Sequence, residues 1–262
     1  MTASLVLDLW LPALPVALAL MTGVWLVSLV RSDVSVVDVF WGPAFALVAV
    51  LYHLLAPDPG LRSGMVLAGV LLWAIRLGVH LGVRWVRTGQ EDYRYAAMRR
   101  EHGSRFRFRS LVTVFWLQGT LAWVLSLPLL AGIVAPGPPG MTGWAGAVVF
   151  VFGFLWEAVA DLQLTRFKAD PSNRGKVLQT GLWRYSRHPN YFGEAVLWWG
   201  FFLMALDAGG GWTVFAPLGM TLLLMKVSGV PLLEPHLEET RPGYREYAAR
   251  TPAFFPRPPK AR

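Results

Sequence analysis

The sequence predicts an all-α integral membrane protein: a seven-transmembrane helical bundle with its N-terminus outside and its C-terminus in the cytoplasm. Three observations carry this expectation. Apolar runs of about 20 residues recur along the chain, long enough to cross a hydrocarbon core as helices. Only 15% of the 262 residues are charged while 55% are hydrophobic, too little charge to cover a water-soluble domain of this length. The cations behind the net charge of +8 fall in gaps between the runs, as a topology signal does, and form no separate basic domain for nucleic acid. The absence of cysteine excludes disulfides, thiolate nucleophiles and cysteine-held metals.

The runs lie at residues 9–30, 34–54, 64–84, 110–134, 141–165, 191–207 and 211–233. The first lacks a basic n-region and a small-residue cleavage site, which marks a retained span rather than a signal peptide. The gaps after the second, fourth and sixth runs, "APDPG", "APGPPG" and "DAGGG", are short, rich in Gly and Pro, and nearly free of cations: tight turns on one side. The gaps after the third and fifth runs and the tail after the seventh are basic, with eight arginines between Arg84 and Arg109. The positive-inside rule assigns these to the cytoplasmic face of a bacterial-type inner (cell) membrane. Residues 1–262 read as one membrane domain, with no internal repeat and no soluble second domain.

Charged groups inside spans are costly, so each one needs a reason. Near the end of the fifth run, Glu157, Asp161, Thr165 and Lys168 follow at spacings of four, four and three, which puts them on one helical face. Snorkelling into headgroups accounts for Arg166 and Lys168, but not for the short-stemmed Asp161 and Glu157. Asp33 suits a cap or first-turn acid of the second span. Asp38 lies more than a turn into that apolar run, where a carboxylate takes up a proton or finds a cation. In the third run Arg76, His80 and Arg84 recur at four-residue intervals. An Asp38–Arg76 ion pair would be structural, and it would still place a polar pocket between the second and third spans.

The stretch from Arg166 to Glu194, "RFKADPSNRGKVLQTGLWRYSRHPNYFGE", is broken by Pro171, Gly175, Gly181 and Pro189 and must fold as a loop. Arg166, Lys168, Arg174 and Lys176 offer charge to phosphates, Asn173 and Asn190 donate and accept, and Trp183, Tyr185 and Tyr191 offer flat faces. A solvated loop touching anionic membrane lipid would explain the charge alone. The density of "RHPNYFGE" points further, to a large, polar, anionic ligand docked at the membrane surface.

"LQTGLWRYSRHPNYFGE", with "DLQLTRFKADP" upstream and "LLEPHLEETRPGYREYAARTPAFFP" downstream, resembles the C-terminal half of the steroid 5-alpha-reductase family, in particular its bacterial members. "VVDVFWGP" and "GQEDYRY" extend the resemblance. Sterol C14 reductases and isoprenylcysteine carboxyl methyltransferases share the superfamily. The resemblance implies seven spans and NADPH as hydride donor. The implied substrate is a 3-keto-4-ene steroid or similar lipophilic enone, entering from the bilayer. It also implies a substrate side in residues 1–109 and a cofactor-binding half in 110–262. On that pattern Asp161, Arg166, Lys168, Asn173, Arg174, Trp183, Arg187, His188, Asn190, Tyr191 and Glu194 form most of the dinucleotide site, closed by Glu234, His236 and Tyr247. No GxGxxG motif opens a strand–helix unit, so the bundle itself must hold the cofactor.

Hydride delivery to the β carbon of an enone builds negative charge on the ketone oxygen, and a donor aimed there lowers the barrier. Steroid-reducing members use a glutamate and a tyrosine from the second and third spans. Here those spans offer Asp38, with Arg76 and His80, as catalytic candidates. A buried Asp38 that keeps its proton could donate a hydrogen bond, as the protonated aspartate of ketosteroid isomerase does. Tyr52, Tyr93 and Tyr95 stand next in line. A methyltransferase using S-adenosylmethionine on isoprenylcysteine or phospholipid is the rival within the superfamily, but the four cations upstream exceed what a sulfonium cofactor needs. A non-catalytic sterol- or lipid-binding protein is the rival outside it. A transporter would show broken midmembrane helices or an inverted repeat, and neither is visible.

Overall fold

The computed structural model describes residues 2–227 and 229–259, apart from the Ala3 side chain; Met1, Ser228 in the seventh apolar run, and the last three residues of the basic tail lie outside the described residues. Every regular element among them is helical. Five helical stretches are long and apolar enough to cross a membrane: Ser4–Arg31, Leu61–Thr88, Tyr93–Val134, Met141–Ala169 and Gly211–Thr240. The protein is therefore a membrane-embedded helical one. The second and sixth expected spans do not reach that measure. Among the described residues, contacts group 2–144 with 202–216 in one compact unit and 145–201 with 217–259 in another.

In the first unit α1 (Ala3–Trp10) and α2 (Ala13–Arg31) are followed by α3 (Val36–Val39), α4 (Trp41–Leu55) and α5 (Leu61–Thr88). The expected single helix over 34–54 is interrupted at Phe40, whose backbone (φ −96, ψ 3) leaves the helical region. Pro43 explains the break: it has no N–H to donate to Val39, and its ring crowds the preceding turn. What remains is the 15-residue α4. The basic segment after the third run is also helical, as α6 (Tyr93–His102) and α7 (Phe106–Ser110). A π-helical stretch (Leu111–Trp116), α8 (Leu117–Leu125) and α9 (Leu127–Val134) then return along the unit. Trp73, Tyr52, Phe45, Phe115, Met21, Leu129 and Ile133 are fully buried at its centre. A buried hydroxyl pair lies there: Tyr52 Oη is 2.9 Å from Ser126 Oγ, which donates to the Trp123 carbonyl at 2.7 Å.

The second unit is organised by α10 (Met141–Ala169) and α11 (Pro189–Asp207). Asn190, Glu194 and Asp207 dilute the hydropathy of the 19-residue α11. The two helices meet on glycines. A Cβ on Gly193 would stand 2.5 Å from the Glu157 amide nitrogen and one on Gly200 2.5 Å from that of Phe150, while one on Gly153 would run into Leu197. Only backbones without side chains can approach so closely. Trp198, Phe201 and Phe150 fill the core beside this crossing. α12 (Phe215–Leu222), a π-helical stretch (Leu223–Val227), α13 (Val230–Thr240) and α14 (Tyr244–Arg250) complete the chain.

Candidate functional site

In the second unit α10 carries the polar stripe expected from its spacing, and the stripe divides by depth. Glu157 and Asp161 are buried, whereas Thr165, Arg166 and Lys168 are exposed near the helix end. Beyond it Asp170 caps a short turn by accepting from the Ser172 amide at 2.9 Å, and Asn173 Nδ2 donates to the Phe167 carbonyl at 3.1 Å. Arg174 is exposed. The chain returns through Gly181, whose φ of +60 and contact with the Gln163 amide leave no room for a side chain. Gln163 Oε1 accepts from the Leu182 amide at 2.9 Å, and Trp183 Nε1 donates to the Ala160 carbonyl at 3.0 Å. These bonds fasten the loop against α10 beside Asp161, where Asn190 Nδ2 donates to Asp161 Oδ1 at 3.1 Å.

"RHP" forms the hub of the unit. Arg187 grips Glu234 of α13 in a fork, Nε to Oε1 at 2.7 Å and Nη2 to Oε2 at 2.9 Å, and Nη1 donates to the Ala248 and Thr251 carbonyls at 2.8 and 2.7 Å. Burial alone would lower the guanidinium pKa, but Glu234 overrides it and raises it. Four of its five donors are thus bound to protein, so Arg187 contributes shape rather than spare charge. His188 Nε2 reaches the same Glu234 oxygen at 3.1 Å, and its ring stacks on Tyr191 with centroids 5.5 Å apart. The Tyr247 hydroxyl donates to the Trp183 and Ser186 carbonyls, and burial pushes its pKa up, keeping it neutral. Ser186 Oγ donates to the Phe254 carbonyl at 2.8 Å. Glu194 is buried on α11, and His236 is half-buried on α13.

Of the expected cofactor set, the structure ties Asp161 to Asn190 and gathers Trp183, Arg187, His188, Tyr191, Glu234 and Tyr247 by direct contacts, and it leaves Arg166, Lys168 and Arg174 at the surface. Gln163 and Ser186 were not singled out in the sequence; only the tight turn that each serves could have signalled them.

The first unit holds a separate polar cluster around Asp38. Arg94 Nη2 donates to Asp38 Oδ2 at 2.7 Å and the Tyr95 hydroxyl to Oδ1 at 2.7 Å. Arg94 is itself held by Asp92, which accepts at Oδ1 from Nε at 2.8 Å. Burial pushes the Asp92 carboxyl up, but the hydrogen bonds and charge of Arg94 outweigh it and hold it below the usual range. Gln118 Nε2 lies 3.5 Å from the Tyr95 oxygen, and its buried Oε1 accepts no hydrogen bond among the described residues. Beside the cluster a cleft of about 60 Å³ is lined by Ser35, Asp38, Arg84, Trp85, Gln90 and Asp92, among others.

This corrects the expected surroundings of Asp38. The Pro43 break leaves it on the short α3, not deep in a continuous span, with its side chain 21% exposed. Arg94 and Tyr95 donate to its two oxygens. The face of α5 toward α3 carries Gly78 and Gly82, near Val39. Arg76 and His80 stand two residues either side of Gly78, about 200° round the helix. Both Asp38 oxygens thus accept, one from the Arg94 guanidinium and one from the Tyr95 phenol.

The family described as Protein of unknown function (DUF1295) matches residues 24–251, across both units. An uncharacterized protein, C594.04c, of the fission yeast Schizosaccharomyces pombe (strain 972 / ATCC 24843) is 28% identical over 263 aligned residues, covering 89% of this chain and 75% of the yeast one. No solved structure matches the chain. With the family match running from α2 to the end of α14, the protein belongs to the DUF1295 family, which is related to the steroid 5-alpha-reductase superfamily.

Proposed function

We propose that the protein is an NADPH-dependent membrane reductase of a carbon–carbon double bond conjugated to a ketone in a lipophilic substrate, with a 3-keto-4-ene steroid as the type. The observation that carries the reading is the Arg94–Asp38–Tyr95 chain beside a cleft that Asp38 lines: a phenol fixed by a carboxylate that an arginine fixes in turn. The donor set of the second unit fits a dinucleotide. Arg166, Lys168 and Arg174 are exposed cations suited to phosphates, and the Asp161–Asn190 pair offers an acceptor and a donor to an amide. NADPH, when bound, supplies a hydride.

The chain's own residues do the rest. Rotation about the Tyr95 C–O bond turns the phenol proton from Asp38 to the ketone oxygen, where charge develops as the β carbon is reduced. Until that turn Asp38, held by Arg94, fixes the phenol oxygen, and the enolate left by hydride addition then takes a proton from solvent water at its α carbon to complete saturation. Arg187 and Glu234 hold the loop that presents Asn190.

The purified protein is expected to oxidise NADPH in a single turnover with a saturating enone. Tyr95→Phe should retain NADPH binding and slow the turnover about 10²- to 10³-fold, as loss of an oxyanion donor does. Asp38→Leu, which leaves the phenol in place but unfixed, should slow it by less than that. Near-normal turnover in Tyr95→Phe would remove the phenol from the chemistry. S-adenosylmethionine bound in place of NADPH would establish the methyltransferase alternative.

A further inference from the structure

A second recess lies in the second unit, apart from the Asp161–Asn190 pair. It encloses about 490 Å³ between the turn at Gln179, Thr180 and Gly181 and the end of α14, with Arg184, Arg250 and Thr251 in its walls. Its size falls in the range of small-ligand sites. Among the described residues no carboxylate lines it. Arg184 makes no ion pair among the described residues, and the one bond from the Arg250 side chain runs from Nε to the Glu246 carbonyl at 3.3 Å. The contrast with Arg187, three residues from Arg184, is sharp: that guanidinium is paired with Glu234, while neither guanidinium in the recess has a carboxylate partner among the described residues.

The walls are also set rather than loose. Gly181, held in the left-handed region against Gln163, fixes the turn that leads to Arg184. Tyr247, also in the wall, is anchored through its hydroxyl to the Trp183 and Ser186 carbonyls. Two guanidinium forks with the Thr180 hydroxyl and the Gln179 amide beside them supply more donors than one carboxylate can accept, and suit the three oxygens of a phosphate ester.

We infer that this recess binds a phosphoryl group through Arg184 and Arg250. The inference does not depend on the reductase reading. Two sources present the same chemistry: the phosphate of an anionic lipid headgroup, and a soluble phosphate ester.

The test uses the protein in phosphatidylcholine nanodiscs, titrated calorimetrically with glycerol 3-phosphate, a phosphate ester without the nucleotide that the proposed NADPH site would recognise, and native mass spectrometry of protein taken from phosphatidylglycerol-containing nanodiscs. Saturable binding in the first arm assigns a soluble ester; retained phosphatidylglycerol in the second assigns a lipid. In either case the double variant Arg184→Gln/Arg250→Gln should bind at least tenfold more weakly with an unchanged thermal midpoint. Arg245→Gln, a change in an exposed cation outside the recess, should bind as the parent does. Thr180→Glu, which brings a carboxylate into the recess and removes no guanidinium, should abolish binding and serves if the double variant fails to fold. No binding in either arm overturns the inference. So does binding that survives Thr180→Glu, or that falls equally in Arg245→Gln, which would mark a diffuse basic surface.

Discussion

Arg187 illustrates how one side chain can hold a unit together and still be mistaken for a ligand contact. In the sequence it is a cation in a basic loop beside a histidine, the position a phosphate would use. In the structure its fork closes on Glu234 and its remaining donors hold the Ala248 and Thr251 carbonyls, so that one residue joins the loop, α13 and the segment after α14. Side chains only 12% and 19% exposed keep this pair from being screened away. Arg187→Ala should therefore cost about 3 to 5 kcal/mol, the range for removing one partner of a buried pair. Arg187→Lys should recover little, because an ammonium is a single point and cannot serve a carboxylate and two carbonyls at once. Thermal unfolding in detergent checks both. A midpoint for Arg187→Lys equal to that of the parent would mean that charge alone, and not the fork, matters here.

The glycines of α10 and α11 act at the level of the helix. Gly193 and Gly200 let the α11 backbone lie against the Glu157 and Phe150 amides, and Gly153 does the same from α10. Gly193→Ala must push the helices apart, at a cost of about 1 to 3 kcal/mol by the measure of overpacked cores. It should also disturb the neighbouring Asp161–Asn190 pair. Gly23 in α2 is the control: nothing lies within 4 Å of the Cβ it lacks, so Gly23→Ala should be neutral or stabilising by up to about 1 kcal/mol. Equal midpoints for the two variants would show that the close crossing contributes nothing. A helix break is equally local in cause and wide in effect. Pro43 ends α3 after four residues and so turns Asp38 from a group deep in a span into one at the edge of a cleft.

For the molecule as a whole, orientation in the membrane follows from where the cations fall, and the cysteine-free chain makes it directly measurable. Single cysteines at the exposed Ser172, in the basic loop, and Asp58, in "APDPG", should react from opposite sides of the membrane. The cytoplasmic side is expected for Ser172→Cys. In inverted vesicles an impermeant thiol reagent should label Ser172→Cys and spare Asp58→Cys, and the reverse pattern would overturn the assigned orientation.

The sequence by itself determined that the protein is helical and embedded in a membrane, because hydropathy over about 20 residues is a local property that survives in any fold. It also determined the buried stripe of Glu157 and Asp161, because helical spacing fixes which residues share a face. The tertiary structure decided the partners. Asp38 meets Arg94 and Tyr95 across 56 and 57 residues, and Arg187 meets Glu234 across 47, contacts that no local periodicity encodes. It decided as well which cations are neutralised and which stay free to bind. Arg184 and Arg187 are alike in the sequence, and only the placement of a distant glutamate compensates the charge of one and leaves the other without an ion pair among the described residues.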